Sequence, residues 1–355
     1  MRILFDALSS TKYSGGMKVH GLETVKAWVR QYPQDEVYVV GPKTARTEYA
    51  ALPIRYFSMN SESILTRAPS QLVGVPLLAL VLKPDFVISL SPMISLLIPK
   101  KRSVVYEHDW RHLTNPDEFP RMQRLYRRLW GWSAHHACLC ICISDKARQE
   151  TLNVAPRTST VTIENGRDHA KNWDIDEIQR TSNIVTFGHH NNKRPDLVIR
   201  AFSLLGSGLS PDVRLVVLGT RDECTTVLRK VAAENGVLDR VLFPGFVPAT
   251  EAHRIIASAR VIVLASSDEG FGLPVAESQY FGIPCVVTSD SGVADIFGDY
   301  PIVCQPTEMS LASGISDALN QPIMRDDNLW SWNDAVKAVR RELRKLQKVE
   351  CKYDE

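Results

Sequence analysis

Short apolar runs alternate along the chain with longer stretches of helical periodicity. Ile3–Ala7, Val37–Val40, Phe86–Leu90, Ser103–Tyr106 and residues 138–143 read as strands, and Val161–Glu164 closes this first series. Met17–Gln31 and Arg121–Trp132 read as helices, and Ser144 is placed to cap another. A second series follows: Ile184–Phe187, Val213–Leu218, Val241–Phe243, Val261–Ala265 and Cys285–Thr288, with helical stretches between. Alternating strands and helices predict an α/β class with parallel sheets covered on both faces, and a continuous run such as Val261–Ala265 suits a strand buried on both sides. Two Rossmann-like, doubly wound domains in tandem are the simplest arrangement. Asn165-Gly166-Arg167-Asp168 and the polar stretch to Ser182 read as the linker. The expected domains are 1–165 and 166–330, followed by a segment 331–355. In that segment Trp332, Val336, Val339, Leu343 and Leu346 form one apolar stripe at helical spacing, and Lys337, Arg340, Arg341, Arg344, Lys345 and Lys348 line the other faces.

Bulk properties narrow the class. Two domains suit 355 residues, and 44% hydrophobic residues can fill two cores. The net charge of +2 argues against a nucleic-acid binder, so any attraction to an anionic membrane must come from a local patch. Met1-Arg-Ile-Leu-Phe5 runs straight into a strand without a secretory-type apolar core. The most apolar window, Leu72–Leu82, is short for a bilayer and contains Pro76. The expected location is cytoplasmic, with peripheral contact at the inner face of the cell membrane as an accompanying reading. Seven cysteines show no disulfide framework. Cys138, Cys140 and Cys142 alternate on one face of a strand, as a metal site or as small packed side chains, and packing is the preferred reading.

The chemistry concentrates at Glu269-Gly-Phe-Gly-Leu-Pro-Val-Ala-Glu277, directly after the run Val261–Ala265. The order strand, glycine loop, helix places a ligand at a strand's carboxyl end. Gly270 and Gly272 allow close backbone approach, and Pro274 suits a first helical turn. The free N–H groups there favour an anion. Glu269 reaches a ligand from the loop, and Glu277 reaches another part of it from about two turns on. A phosphate flanked by carboxylates that bind hydroxyls suggests a nucleotide sugar.

This segment, continuing through Phe281-Gly-Ile-Pro284 and Val286-Val-Thr-Ser289, resembles the signature of retaining glycosyltransferases of family 4. The resemblance is sharpest over 183–300. It implies the GT-B architecture, two Rossmann-like domains facing across a cleft with a C-terminal helix returning to the first. It also implies a nucleotide-diphosphate sugar donor, GDP-mannose as first choice, and a glycan or lipid-linked acceptor in surface polysaccharide or glycolipid synthesis. Neither a metal nor a further cofactor is expected. On this resemblance Glu269 grips sugar hydroxyls, Glu277 binds ribose, Lys193 and Arg194 neutralise the diphosphate, and Gly270, Phe271, Gly272 and Leu273 cradle the donor. Gly16, beside Gly15, permits close approach of the phosphate, and His108 lies near the donor sugar. Asp109 orients that imidazole or binds the acceptor. The loop Gly188-His-His-Asn-Asn-Lys193-Arg194 is one residue short of the family pattern and lacks its arginine, leaving Arg194 or His189 to replace it. Phe243-Pro-Gly245-Phe246 resembles a turn that recognises the base through its backbone, and Asp295 stands where a glutamate is common. Arg121, Arg124, Arg127 and Arg128 accompany an apolar stripe, as a docked helix or as an interfacial one. Two other functions fit the pattern: a sugar-nucleotide epimerase of similar architecture, and a non-catalytic sugar-nucleotide-binding scaffold.

Overall fold

The computed structural model describes residues 1–11, 15–175, 177–326 and 328–351. They form two compact units, Met1–Gly166 with Trp330–Glu355, and Arg167–Leu329.

The first unit holds a parallel sheet of β1 (Arg2–Asp6), β2 (Glu36–Pro42), β3 (Arg55–Met59), β4 (Phe86–Ser89), β5 (Ser103–Glu107), β6 (Leu139–Cys142) and β7 (Thr160–Thr162). Its order is β3-β2-β1-β4-β5-β6-β7. Ile3 lies between Val37 and Phe86, and all three are buried, as a central strand covered on both faces requires. Alternate residues divide between the faces. Leu4, Val40, Val87, Val105 and Cys140 share a cluster with Tyr126 and Trp130. Phe5, on the other face, meets Trp28 edge-on at 5.7 Å. The Trp332–Cys351 helix packs on the Gly16–Gln31 helix, with Trp332, Val336, Val339 and Leu343 buried.

The second unit holds β8 (Ile184–Phe187), β9 (Leu215–Leu218), β10 (Val241–Gly245), β11 (Val261–Leu264), β12 (Cys285–Thr288) and β13 (Ile302–Cys304), in the parallel order β10-β9-β8-β11-β12-β13. In both sheets the order reverses next to the first strand, between β1 and β4 and between β8 and β11. A crevice opens at the carboxyl ends of such a pair.

Three features depart from the sequence reading. The edge strands β3 and β13 are absent from that reading: β3 mixes Arg, Tyr, Phe, Ser and Met, and β13 is only the three residues Ile-Val-Cys. Residues 64–82 form one helical run, joined through a single π turn at Ser70–Gly74 across what read as a short apolar window. At 19 residues it is long and apolar enough to cross a membrane by length and composition. Arg340 does not line a solvated face. It is buried, donates to Asp35 Oδ1 at 2.9 Å and lies 3.9 Å over the Tyr32 ring. In keeping with the packing reading, Cys140 and Cys142 are buried within the fold, and burial pushes the Cys142 thiol up to about 12, which keeps it protonated.

Candidate active site

The strongest constellation lies at the carboxyl ends of β8 and β11. Gly188 directly follows β8 where a Cβ would come within 2.4 Å of Thr220 Cγ2, so any larger residue would force the packing there to shift. Asn192 then joins the two loops. Its Nδ2 donates to Asp268 O at 2.8 Å, and its own carbonyl accepts from Ser267 N at 2.9 Å. This brings together two groups 76 positions apart, and the Lys193 ammonium donates to Glu269 Oε1. Both are largely buried, with side-chain exposures of 7% and 13%. Desolvation of the two charges offsets much of their attraction, so the pair is weak evidence of a purely stabilising role.

Gly272 opens the Leu273–Phe281 helix with φ +92, a left-handed conformation that glycine adopts without strain. Val275 N and Ala276 N both bond to Gly272 O, so the Leu273 N–H precedes the first intrahelical bond. Phe271 is buried, its ring tilted against Phe297 at 5.4 Å, which leaves Gly270 and Gly272 to present backbone. Glu277 follows on the same helix. His169 Nε2–H donates to its Oε1 at 3.1 Å. His169 is 3% exposed, and Trp173 meets it edge-on at 6.0 Å. Trp173 in turn stacks flat on His253 at 4.0 Å. The Glu277 carboxylate is therefore oriented from outside its own helix.

His189 lies beside the pair, and burial, with repulsion from Lys193 and His190, pushes its pKa down to about 3. The imidazole is neutral near pH 7 and brings no cation to replace the missing arginine. Arg194 is engaged at the strand ends. At φ +46 it caps the Pro195–Leu204 helix, and its guanidinium holds the ends of β11 and β12. Nε donates to Ala265 O at 2.7 Å, both Nη groups reach the Asp290 carboxylate, and Nη2 also reaches Thr288 Oγ1. Asp290 thus supplies Arg194 with a bidentate anion in this structure.

The first unit carries Gly16 and His108. Gly16 begins its helix exposed, and a Cβ on neighbouring Gly15 would meet nothing within 4 Å. His108 Nε2–H donates to Leu90 O at 3.1 Å, leaving Nδ1 as an acceptor. Asp109 does not orient this ring; it accepts from Arg111 N and pairs with Arg127. A second imidazole, His20, crosses His108 at 4.6 Å and 89°. Asn165 Oδ1 accepts from His20 Nδ1 at 2.8 Å. Burial holds the pKa of both imidazoles below the ordinary value, and the charge of His108 would lower His20 further.

The sequence model described as Glycosyltransferase Family 4 matches residues 14–171, and that described as Glycosyl transferases group 1 matches 177–328. Together they account for most of the chain.

The chain belongs to glycosyltransferase family 4.

Its two parallel sheets are those of the GT-B fold. Anabaena HepE, solved in complex with UDP and glucose, superposes with a TM-score of 0.68 at 17% identity, covering 99% of both chains. Among curated relatives, the O-antigen chain mannosyltransferase B of Escherichia coli is 23% identical over 67% of this chain and 64% of its own length. The mannosylfructose-phosphate synthase of Agrobacterium fabrum is 32% identical over 32% of this chain and 27% of its own. The chain thus spans less than two thirds of the length of these relatives. In this family-4 protein the residues missed by sequence reasoning are His169, Asn192 and His20. His169 falls in a stretch read as linker, Asn192 inside a loop read for its cations, and His20 within a helix with no local sign of its partner Asn165.

Proposed function

We propose that this protein is a retaining glycosyltransferase that moves a hexose from a nucleotide-diphosphate sugar to a glycan or lipid-linked saccharide in cell-surface polysaccharide or glycolipid synthesis. The observation that carries the reading is the Lys193–Glu269 pair beside the start of the helix that carries Glu277. A diphosphate attracts Lys193 and the unbonded N–H groups near Gly272 and Leu273. Glu269 is then released to accept from sugar hydroxyls, and Glu277, steadied by His169, accepts from the ribose. The anomeric carbon–oxygen bond to the diphosphate breaks, and a new bond forms to the acceptor oxygen on the same face. The acceptor proton passes to the departing phosphate oxygen. Lys193 and the helix start stabilise the charge that builds there. On this reading no metal is required. His108 would accept from a sugar hydroxyl through Nδ1, and exposed Gly16 would admit the phosphate. The mannosyl names among the relatives favour GDP-mannose as donor.

The test is a thermal-shift screen with UDP-, GDP-, ADP- and dTDP-sugars, followed by transfer from the stabilising donor to saccharide acceptors. A donor at 100 times its Kd should stabilise the fold by about 2.7 kcal/mol. The absence of a shift with every nucleotide sugar would overturn the reading.

A further inference from the structure

We propose that the outer face of the Ile64–Leu82 and Arg121–His136 helices seats the protein on an anionic lipid bilayer, without crossing it. A helix packed on a sheet ordinarily turns polar residues to solvent. The 64–82 run does the reverse. Leu65, Pro69, Val73, Leu77, Leu80 and Val81 are all exposed, Leu80 at 71% and Val81 at 78%. At i, i+4 and i+3 spacings they form one stripe about 24 Å long. The opposite side of the same run is fixed to the unit. Gln71 is 1% exposed, accepts from Tyr126 O–H at 2.6 Å and donates to Asp6. Arg67 Nε donates to Ser61 O. A helix tied down this way cannot also span a membrane, so only its outer stripe is available to lipid.

Two neighbouring segments extend the surface. Ser95 Oγ donates to Leu72 O and Ser133 Oγ to Ile94 O, which holds the turn with exposed Leu96 and Leu97 against both helices. The Arg121–His136 helix contributes Met122, Leu125 and Trp132, the last 63% exposed. Patches of this kind mark interaction surfaces. The charge identifies the partner. Residues 64–83, 93–103 and 121–136 contain no aspartate or glutamate, yet they include exposed Lys83, Lys100, Lys101, Arg121 and Arg128. Apolar side chains on segments whose own charges are all positive, with a tryptophan among them and the nearest acids Glu62, Asp85, Asp117 and Glu118 outside those segments, match the acyl and headgroup layers of an anionic leaflet. The basic Trp332–Cys351 helix packs with the Gly16–Gln31 helix, on the other side of the sheet, and offers charge without a comparable exposed apolar stripe. This surface does not depend on the donor reading.

The experiment is co-sedimentation of the full chain with vesicles of phosphatidylcholine alone or mixed with phosphatidylglycerol. The mixed vesicles should bind it, and added salt should weaken this without abolishing it. Leu77→Glu with Leu80→Glu should weaken binding at least about tenfold, because two side chains lose their apolar seat. Both sites are exposed, so an unchanged Tm is the control for folding. Lys337→Glu with Arg344→Glu on the opposite side should leave binding nearly unchanged. No vesicle binding, equal loss in both double variants, or a solution dimer dissociated by Leu77→Glu with Leu80→Glu would each overturn the proposal.

Discussion

Truncating His169 isolates what it does for Glu277. In His169→Ala the carboxylate remains but loses the imidazole that orients it, so the helix and its charge are intact while the side chain regains rotamer freedom. Re-ordering one such side chain on binding costs about 0.5–1.5 kcal/mol, or roughly a fivefold rise in Kd. Glu277→Ala removes the carboxylate itself, and a hydrogen bond to a charged group contributes about 1.5–3 kcal/mol. If His169 acts through Glu277, the double variant binds no more weakly than Glu277→Ala alone, and the cycle shows a coupling of about 1 kcal/mol. His169→Gln, whose amide N–H also donates, should recover part of the loss. Calorimetric titration with UDP and GDP measures the parent and all four variants, with Tm reporting the fold. Additive losses would refute the positioning argument. So would a loss in His169→Ala with none in Glu277→Ala.

Asp6 carries a pH prediction. It is 3% exposed, and burial pushes its pKa up to about 7 against bonds from Leu8 N–H and Gln71. Between the unfolded value near 3.8 and about 7 the folded state holds a proton that the unfolded chain has released, so this group's stabilising contribution falls as pH rises through that window. Asp6→Asn should therefore gain stability relative to the parent in urea unfolding, at most about 4 kcal/mol at pH 8.5, and the gain should shrink toward zero near pH 4; a pH-independent difference would contradict this. Gly166→Ala should destabilise the first unit by about 1–3 kcal/mol or more, because its Cβ would lie 2.1 Å from Trp332 N. Faster hydrogen exchange along the Trp332–Cys351 helix would report it, and unchanged exchange would count against that contact.

The central strands were legible because burial on both faces selects unbroken Val, Ile and Leu runs, as at Val261–Leu264. The edge strand Arg55–Met59 was not, because it is half covered and mixes Arg, Tyr, Phe, Ser and Met. The helix 64–82 was not legible as one, and only Leu72–Leu82 stood out as an apolar window, since Pro69 and the π turn interrupt the period that a sequence shows. At the candidate site, residue type pointed to the glycines, Lys193 and the two glutamates. It could not reveal how the two neighbouring cations are partnered. Lys193 and Arg194 are adjacent, yet one pairs with Glu269 and the other is taken by Asp290, a choice made by the left-handed turn at Arg194. His169 was hidden for the converse reason: its partner lies 108 positions away, and nothing local marks it.

The Lys193–Glu269 pair has a consequence for recognition on the proposed reading. Without ligand, the lysine's charge is neutralised by the carboxylate meant for the sugar. Two largely buried charges in contact attract by about 4 kcal/mol at an effective dielectric near 20, so neither partner separates without a substitute. A diphosphate supplies the substitute for Lys193, and the sugar hydroxyls supply donors for Glu269. Either exchange alone strands one buried charge, which is the costly outcome for such a pair. Phosphate and sugar recognition are therefore linked through a single ion pair. A nucleoside monophosphate brings the ribose but too little charge to draw Lys193 away. A free hexose brings hydroxyls but leaves the ammonium without an anion, and the intact nucleotide-diphosphate sugar satisfies both ends at once.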